Sequence, residues 1–235
     1  MVQLYIVGMV PGDSYTFEAL REIKRTLNPS IIGVEETQDD IDMLMNPAYS
    51  DKYVSEREEY FKENHSDAND KTLKDLLADE ICFYKQLNRY KFDGISILGL
   101  DDADFDSSGF ENAEDIYSER KDRLLSRILS LGPEQAKELI QAEYDAVLKG
   151  YCAEELRPYF VVSDSEPLKE YYEARDRDTA ERLRELVVEE RSGEGSDDSV
   201  IVYLCNISHF DGGYQNLVKN LEGFEPEIMR MCDFL

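Results

Sequence analysis

Apolar residues fall into two rhythms along this chain. Short unbroken runs have the length and β-branched content of buried strands: Leu4-Tyr5-Ile6-Val7, Ile31-Ile32-Gly33-Val34, Gly94-Ile95-Ser96-Ile97-Leu98-Gly99-Leu100 and Val200-Ile201-Val202-Tyr203-Leu204. Between them apolar positions recur at helical spacing. Phe17, Leu20, Ile23 and Leu27 predict a first helix, which Asn28-Pro29 ends. A polar helix is predicted from about Lys52 to Asn64. A second, with Leu73, Leu76, Leu77, Ile81, Tyr84 and Leu87 on one stripe, runs from about Asp70 to Tyr90. Gly132-Pro133 parts helices at about Ala113–Leu131 and Pro133–Lys149. A long helix capped by Asp164 or Ser165, with Pro167 in its first turn, runs to about Glu190, and Ser192–Asp198 predicts a mobile loop. After the last strand, Asp211-Gly212-Gly213 turns the chain into a short helix with Leu217 and Leu221, and Ile228 to Met231 predicts a closing edge strand.

Strand, helix, strand at these lengths predicts a right-handed crossover between parallel strands. The expected fold class is α/β: a mainly parallel central sheet flanked by helices, with a helical, acidic middle section. With no repeat and no interdomain linker, residues 1–235 read as one domain, with a helical insertion at roughly 50–92 and a helical section at roughly 111–190. The Gly8–Asp13 loop and Glu35 should then leave the sheet at one carboxyl edge, where open α/β sheets hold ligands. The strand ending in Cys205-Asn206-Ile207-Ser208-His209 mirrors the first unit.

Charge alters this picture most. Asp and Glu number 52 against 26 Lys and Arg, a formal charge of −26. Such a surface repels phosphate backbones and anionic lipid, so nucleic-acid and membrane partners are not expected. Most of these carboxylates read as solvated helix faces. No stretch approaches the roughly 20 apolar residues that cross a bilayer, and no basic segment with a long apolar run opens the chain, so the expected location is the cytoplasm. Cys82, Cys152, Cys205 and Cys232 lie far apart without a CxxC pair, as reduced core thiols do. The expected partner is a small molecule or peptide, with self-association left open.

Familiar catalytic templates are missing: no Gly-x-Ser-x-Gly elbow, Walker loop, Gly-x-Gly-x-x-Gly turn or His-Glu-x-x-His pair. The run from Asp101 to Asp106 misses the calcium-loop pattern, with Ser107 where glycine is needed and Ala113 where glutamate is. What remains is polar residues at strand ends. Asp13 is a helix cap or a further carboxylate. Glu35 is an exposed strand-end acid, which Glu36 could equally be, or a metal ligand or general base. Asp101 ends the third strand on the same edge. Arg175 is a structural ion-pair partner or a clamp for a substrate anion. His209 is a hydrogen-bonded loop residue, or a ligand or base near neutral pH. His65 reads as a solvated helix end.

Six segments, in order, resemble one family. Ile6-Val7-Gly8-Met9-Val10-Pro11-Gly12-Asp13 is similar to the Gly-Thr-x-His-x-Asp opening of TraB/PrgY–Tiki proteins, a superfamily that includes erythromycin-esterase-like hydrolases. Pro29-Ser30-Ile31-Ile32-Gly33-Val34-Glu35 resembles their Pro-Asp-hydrophobic-hydrophobic-x-Val-Glu strand, and Ala78-Asp79-Glu80 their Gly-x-Glu. Ile97-Leu98-Gly99-Leu100-Asp101-Asp102 resembles the Leu-Ile-Asp-Arg strand end, and Ala174-Arg175-Asp176-Arg177-Asp178-Thr179-Ala180 the Glu-Arg-Asp-x-x-Met-Ala helix. Asn206-Ile207-Ser208-His209-Phe210-Asp211-Gly212 is similar to Gly-x-Gly-His-x-x-Gly. The resemblance implies a metal-dependent hydrolase-like protein, with Glu35 and His209 as catalytic residues and Glu35, Asp101 and His209 around one divalent ion (Mn, Mg or Zn). Arg175 and Asp13 would hold substrate. Pro11 stands where the family has its first histidine, Ala174 where it has the helix glutamate, and Asp102 where it has an arginine. Those departures imply a degenerate member or, as the alternative, a non-catalytic binding or regulatory protein of the same fold.

Overall fold

The computed structural model describes residues 2–101, 109–149, 161–192 and 199–235. Five strands form one wholly parallel sheet: β1 (Val2–Met9), β2 (Ile31–Val34), β3 (Ser96–Gly99), β4 (Ser199–Asn206) and β5 (Glu227–Arg230), in the order β3-β2-β4-β1-β5. The helices are α1 (Thr16–Leu27), α2 (Gln38–Leu44), α3 (Pro47–Asn64), α4 (Asp70–Phe92), α5 (Glu111–Ser130), α6 (Pro133–Lys149), α7 (Glu166–Ser192) and α8 (Leu217–Asn220). The fold is α/β, with the sheet between helical layers. Residues 193–198, expected as a mobile loop, lie outside the described residues, as do Cys152 and the aspartates at 102, 104 and 106.

The inner strands β1, β2 and β4 are mostly apolar because both faces of the sheet are covered there, whereas the edge strand β5 carries Glu227 and Arg230. Ile6, Val7, Ile32, Val202, Tyr203 and Leu204 are essentially inaccessible. The first crossover joins parallel strands, but β1 and β2 are not neighbours, because β4 lies between them and pairs with both. The chain therefore leaves β1 and β2 toward one edge of the sheet and β3 and β4 toward the other. Right-handed crossovers then put α1 and α4 on one face and α7 and α8 on the opposite one. The contacts between α1 and α4, and between α7 and α8, agree.

Two features fix this edge locally. Gly8 has no room for a side chain: a Cβ there would sit 2.6 Å from both Ile207 Cδ1 and Phe210 Cε2, so the 3-10 turn at Ile207–Phe210 rests directly on β1. Gly99 is more confined, since a Cβ would lie 2.5 Å from the backbone at Thr37 and Gln38. The turn at Asn28 (φ 47°) closes α1, as the sequence suggested.

Candidate functional site at the carboxyl edge of the sheet

The strand ends converge where crossovers diverge to opposite edges, the place an open α/β sheet keeps for ligands. Glu35 follows β2 and is held in the ladder by its own N–H, which donates to Leu204 O at 3.0 Å. Its Oε2 accepts the Asn206 backbone N–H at 2.6 Å, from the end of β4. Its Oε1 faces two cations, Arg175 Nη2 at 3.3 Å and His209 Nε2 at 3.0 Å. Arg175, from α7, also donates to Asp101 Oδ2 at 2.7 Å, so its guanidinium bridges the ends of β2 and β3.

His209 lies behind this pair, 1 % exposed. Its Nδ1 is bound to Asp176, a fully buried carboxylate on α7 whose other oxygen accepts the Tyr214 hydroxyl at 2.8 Å. Nε2 is within ion-pair distance of Glu35 but is not aimed along a hydrogen bond. Tyr172 packs on the imidazole with ring centroids 5.2 Å apart. Burial opposes a charged ring, but Asp176 and Glu35 outweigh it and push His209 up to about 10. Burial would also raise Glu35, but His209, Arg175 and the Asn206 amide more than offset it and hold the carboxyl at about 2. At neutral pH this is a buried imidazolium between Asp176 and Glu35, with a guanidinium between that same Glu35 and Asp101.

Glu35, Asp101 and Arg175 line one side of a cavity of about 380 Å³. Its apolar wall includes Val10, Ile41, Leu76, Phe83 and Leu125. Tyr84, expected on the core stripe of α4, packs against the core and lines the cavity as well; Leu87 from the same stripe is buried, joined by Phe83 and Tyr90. Asp13 lines the far end. Its oxygens accept the Tyr15 N–H at 3.0 Å and the Tyr144 hydroxyl at 2.9 Å, so it is anchored to its own turn and to α6. Burial raises its carboxyl, with Tyr144 and the Tyr15 amide opposing.

The cap of α1 is not Asp13 but Asp79, reaching from α4 to the N–H groups of Thr16 at 3.2 Å and Phe17 at 3.0 Å and to the Thr16 hydroxyl. Burial pushes Asp79 up to about 6 despite these bonds. Glu80 also faces the cavity, accepting the Tyr53 hydroxyl at 2.8 Å and standing 3.6 Å from Arg57. Pro11 lines the cavity where the family pattern has histidine. His65 is not a solvated helix end: Nδ1 is 2.8 Å from Ser126 Oγ, Nε2 is buried, and the ring packs on Phe61.

The structure thus gathers Glu35, Asp101, Arg175 and His209, and places Asp13 across the same cavity, with His209 beneath the lining rather than in it. Sequence reasoning passed over the role of Asp176, although a signal existed. It occupies a core position of the α7 stripe formed by Leu168, Tyr172, Ala180, Leu183 and Val187, where an acid needs a buried partner. Glu36 is the other residue given no role. It lines the cavity, and its carboxylate makes no hydrogen bond or ion pair among the described residues. Burial and the charges of Glu35, Asp40 and Asp101 push it up to about 7, with Lys121 opposing.

The residues expected to hold a divalent ion are engaged here in ion pairs with one another. Among the described residues no three His, Cys, Asp or Glu side chains converge as a metal set. The Arg175 guanidinium lies between Glu35 and Asp101, and Asp176 and Glu35 favour the charged form of the His209 ring. No family model, curated protein or solved structure matches the chain, so the TraB/PrgY–Tiki resemblance rests on the motif residues alone.

Proposed function

We propose that the chain acts by binding a small organic molecule in the cavity at the carboxyl edge of β1, β2 and β4, the non-catalytic alternative among the readings of its sequence. The observation that carries this is the closed set of charge pairs around His209. A histidine held between Asp176 and Glu35 and raised to about 10 is neither a metal ligand nor a general base at neutral pH. The cavity is nonetheless of ligand size, with an apolar wall and a few polar groups, as small-molecule sites are. In this reading Pro11 and Ala174 mark a site that has kept its fold and pocket while losing hydrolytic machinery.

The chain has no tryptophan, so Tyr84→Trp puts a single fluorescent reporter on the cavity wall. A fragment collection should include members that change its emission and raise the wild-type melting temperature. Calorimetric titration with Mn, Mg or Zn should give no tight stoichiometric site. An inert reporter across the collection, or a tight metal site abolished by Glu35→Gln, would overturn the reading.

A second reading is favoured by one residue. Glu36, unpaired and pushed up to about 7, is matched to proton transfer near neutral pH and stands on the cavity surface. A hydrolase-like activity would then use Glu36 as base without a metal. Turnover of an ester or peptide panel that vanishes in Glu36→Gln and survives His209→Gln would favour it over pure binding.

A further inference from the structure

The charges around the cavity do not cancel, and the imbalance has a location. Six carboxylates and three cationic side chains line it. Arg175 is shared by Glu35 and Asp101, and Arg57 stands 3.6 Å from Glu80. Asp79 is spent on the N-terminus of α1, and Asp13 on Tyr144 and the Tyr15 amide. Two charged side chains remain without an ion pair or hydrogen bond among the described residues, Glu36 and Lys121. Lys121 acts on Glu36 only through its field, since the two make no ion pair. Even with Lys121 counted, the lining carries more negative than positive charge, in a recess walled by low-dielectric side chains that strengthen electrostatic attraction.

A half-buried carboxylate without a partner is an unfavourable arrangement unless it takes up a proton or a cation completes it. Here the neighbouring wall indicates what else the partner carries. Ile41, Leu76, Phe83 and Leu125 offer apolar surface that a small inorganic cation cannot use. We infer that the ligand is an organic cation, an amine or guanidine borne on an apolar body, with its charge against Glu36 and its body along the α4 and α5 wall. This deepens the binding reading and rests on it.

The test uses three ligands on one phenylbutyl body that differ only in their head group: phenylbutylamine, phenylbutanol and phenylvalerate. Binding is read by the indole fluorescence of the Tyr84→Trp variant and by calorimetry on the wild-type chain. The amine is expected to bind about tenfold more tightly than the alcohol, with the carboxylate weakest. Glu36→Gln, which breaks no side-chain bond within the protein, should erase the preference for the amine over the alcohol. Lys121→Gln should strengthen amine binding a few-fold by removing a competing positive field. If the three bind alike, or the amine keeps its advantage in Glu36→Gln, the ligand class is wrong while the binding reading stands. The same holds if none of the three binds but other fragments do. If nothing at all moves the reporter, the binding reading falls with it.

Discussion

His209 owes its charge to its neighbours rather than to solvent, and that makes it a measurable element of stability. In the folded chain it titrates near 10, against 6.5 for an ordinary histidine. Between those values the folded state holds a proton that the unfolded state has released. The stabilisation is therefore complete below about pH 6.5 and is lost as pH rises through 10. Urea midpoints should fall from pH 6 to pH 10 in the wild type, and fall less steeply in His209→Gln; equal slopes would show that the ring is not held as an imidazolium. Glu35 gives the acid-side counterpart. Its carboxyl is lowered to about 2, so its contribution is present above about 4.5 and is lost as pH drops toward 2. Asp176→Ala leaves the imidazolium without its closest counter-charge and the Tyr214 hydroxyl without an acceptor, and should cost about 3–5 kcal/mol in denaturant titration. A loss under about 1 kcal/mol would place the pair among weak, solvent-screened contacts.

Helices hold the site by reaching across the sheet edge. Replacing Asp79 by Ala strips α1 of a cap that serves two of its first N–H groups, an expected loss of about 1–2 kcal/mol measured by thermal and urea unfolding. An unchanged midpoint would assign those groups to water instead. At the end of β3, Gly99→Ala has no side chain to displace, because the clash is with the Thr37–Gln38 backbone; it should destabilise by about 1–3 kcal/mol. These same elements show what a one-dimensional reading can reach. The strand cores, α1, α4, α6, α7 and the edge strand β5 were legible, since their signals lie in local periodicity and caps. Helix α2 was not, because seven residues carry too little periodicity, and only the Thr37 cap and buried Ile41 and Leu44 mark it. The place of β4 between β1 and β2 was not legible either. That pairing joins segments at opposite ends of the chain and leaves no local trace. Of the site, the strand-end residues could be named individually, but not that Arg175 would fill the space between Glu35 and Asp101, or that Asp176 would take the second nitrogen of His209.

On the scale of the whole molecule, like-charge repulsion is left uncompensated. Acidic side chains outnumber basic ones 52 to 26. Among the described residues no helix is long and apolar enough to cross a membrane. Several cations already sit in exposed pairs with acids, such as Arg25–Glu22, Lys52–Glu56 and Lys62–Glu58. Added salt acts on both kinds of interaction. It weakens those surface pairs, each worth about 0–1 kcal/mol, and it screens the repulsion among the carboxylates left over. At about 0.01 M salt the screening length is about 30 Å, so most of these charges feel one another; at about 0.15 M it is about 8 Å. With twice as many acids as bases, relief of repulsion should win. The melting temperature should rise by several degrees between about 0.01 M and 0.5 M sodium chloride, with most of the gain at the low end, where the screening length changes most. Sodium chloride is the salt to use, because sulfate also strengthens apolar burial and would blur the cause. The buried pairs around His209 are shielded from the solvent, so the alkaline loss of stability should survive at high salt while the general repulsion disappears. A melting temperature that falls as salt is added would mean that the exposed ion pairs outweigh the excess of acid, and that the −26 charge is better accommodated by the fold than its sum suggests.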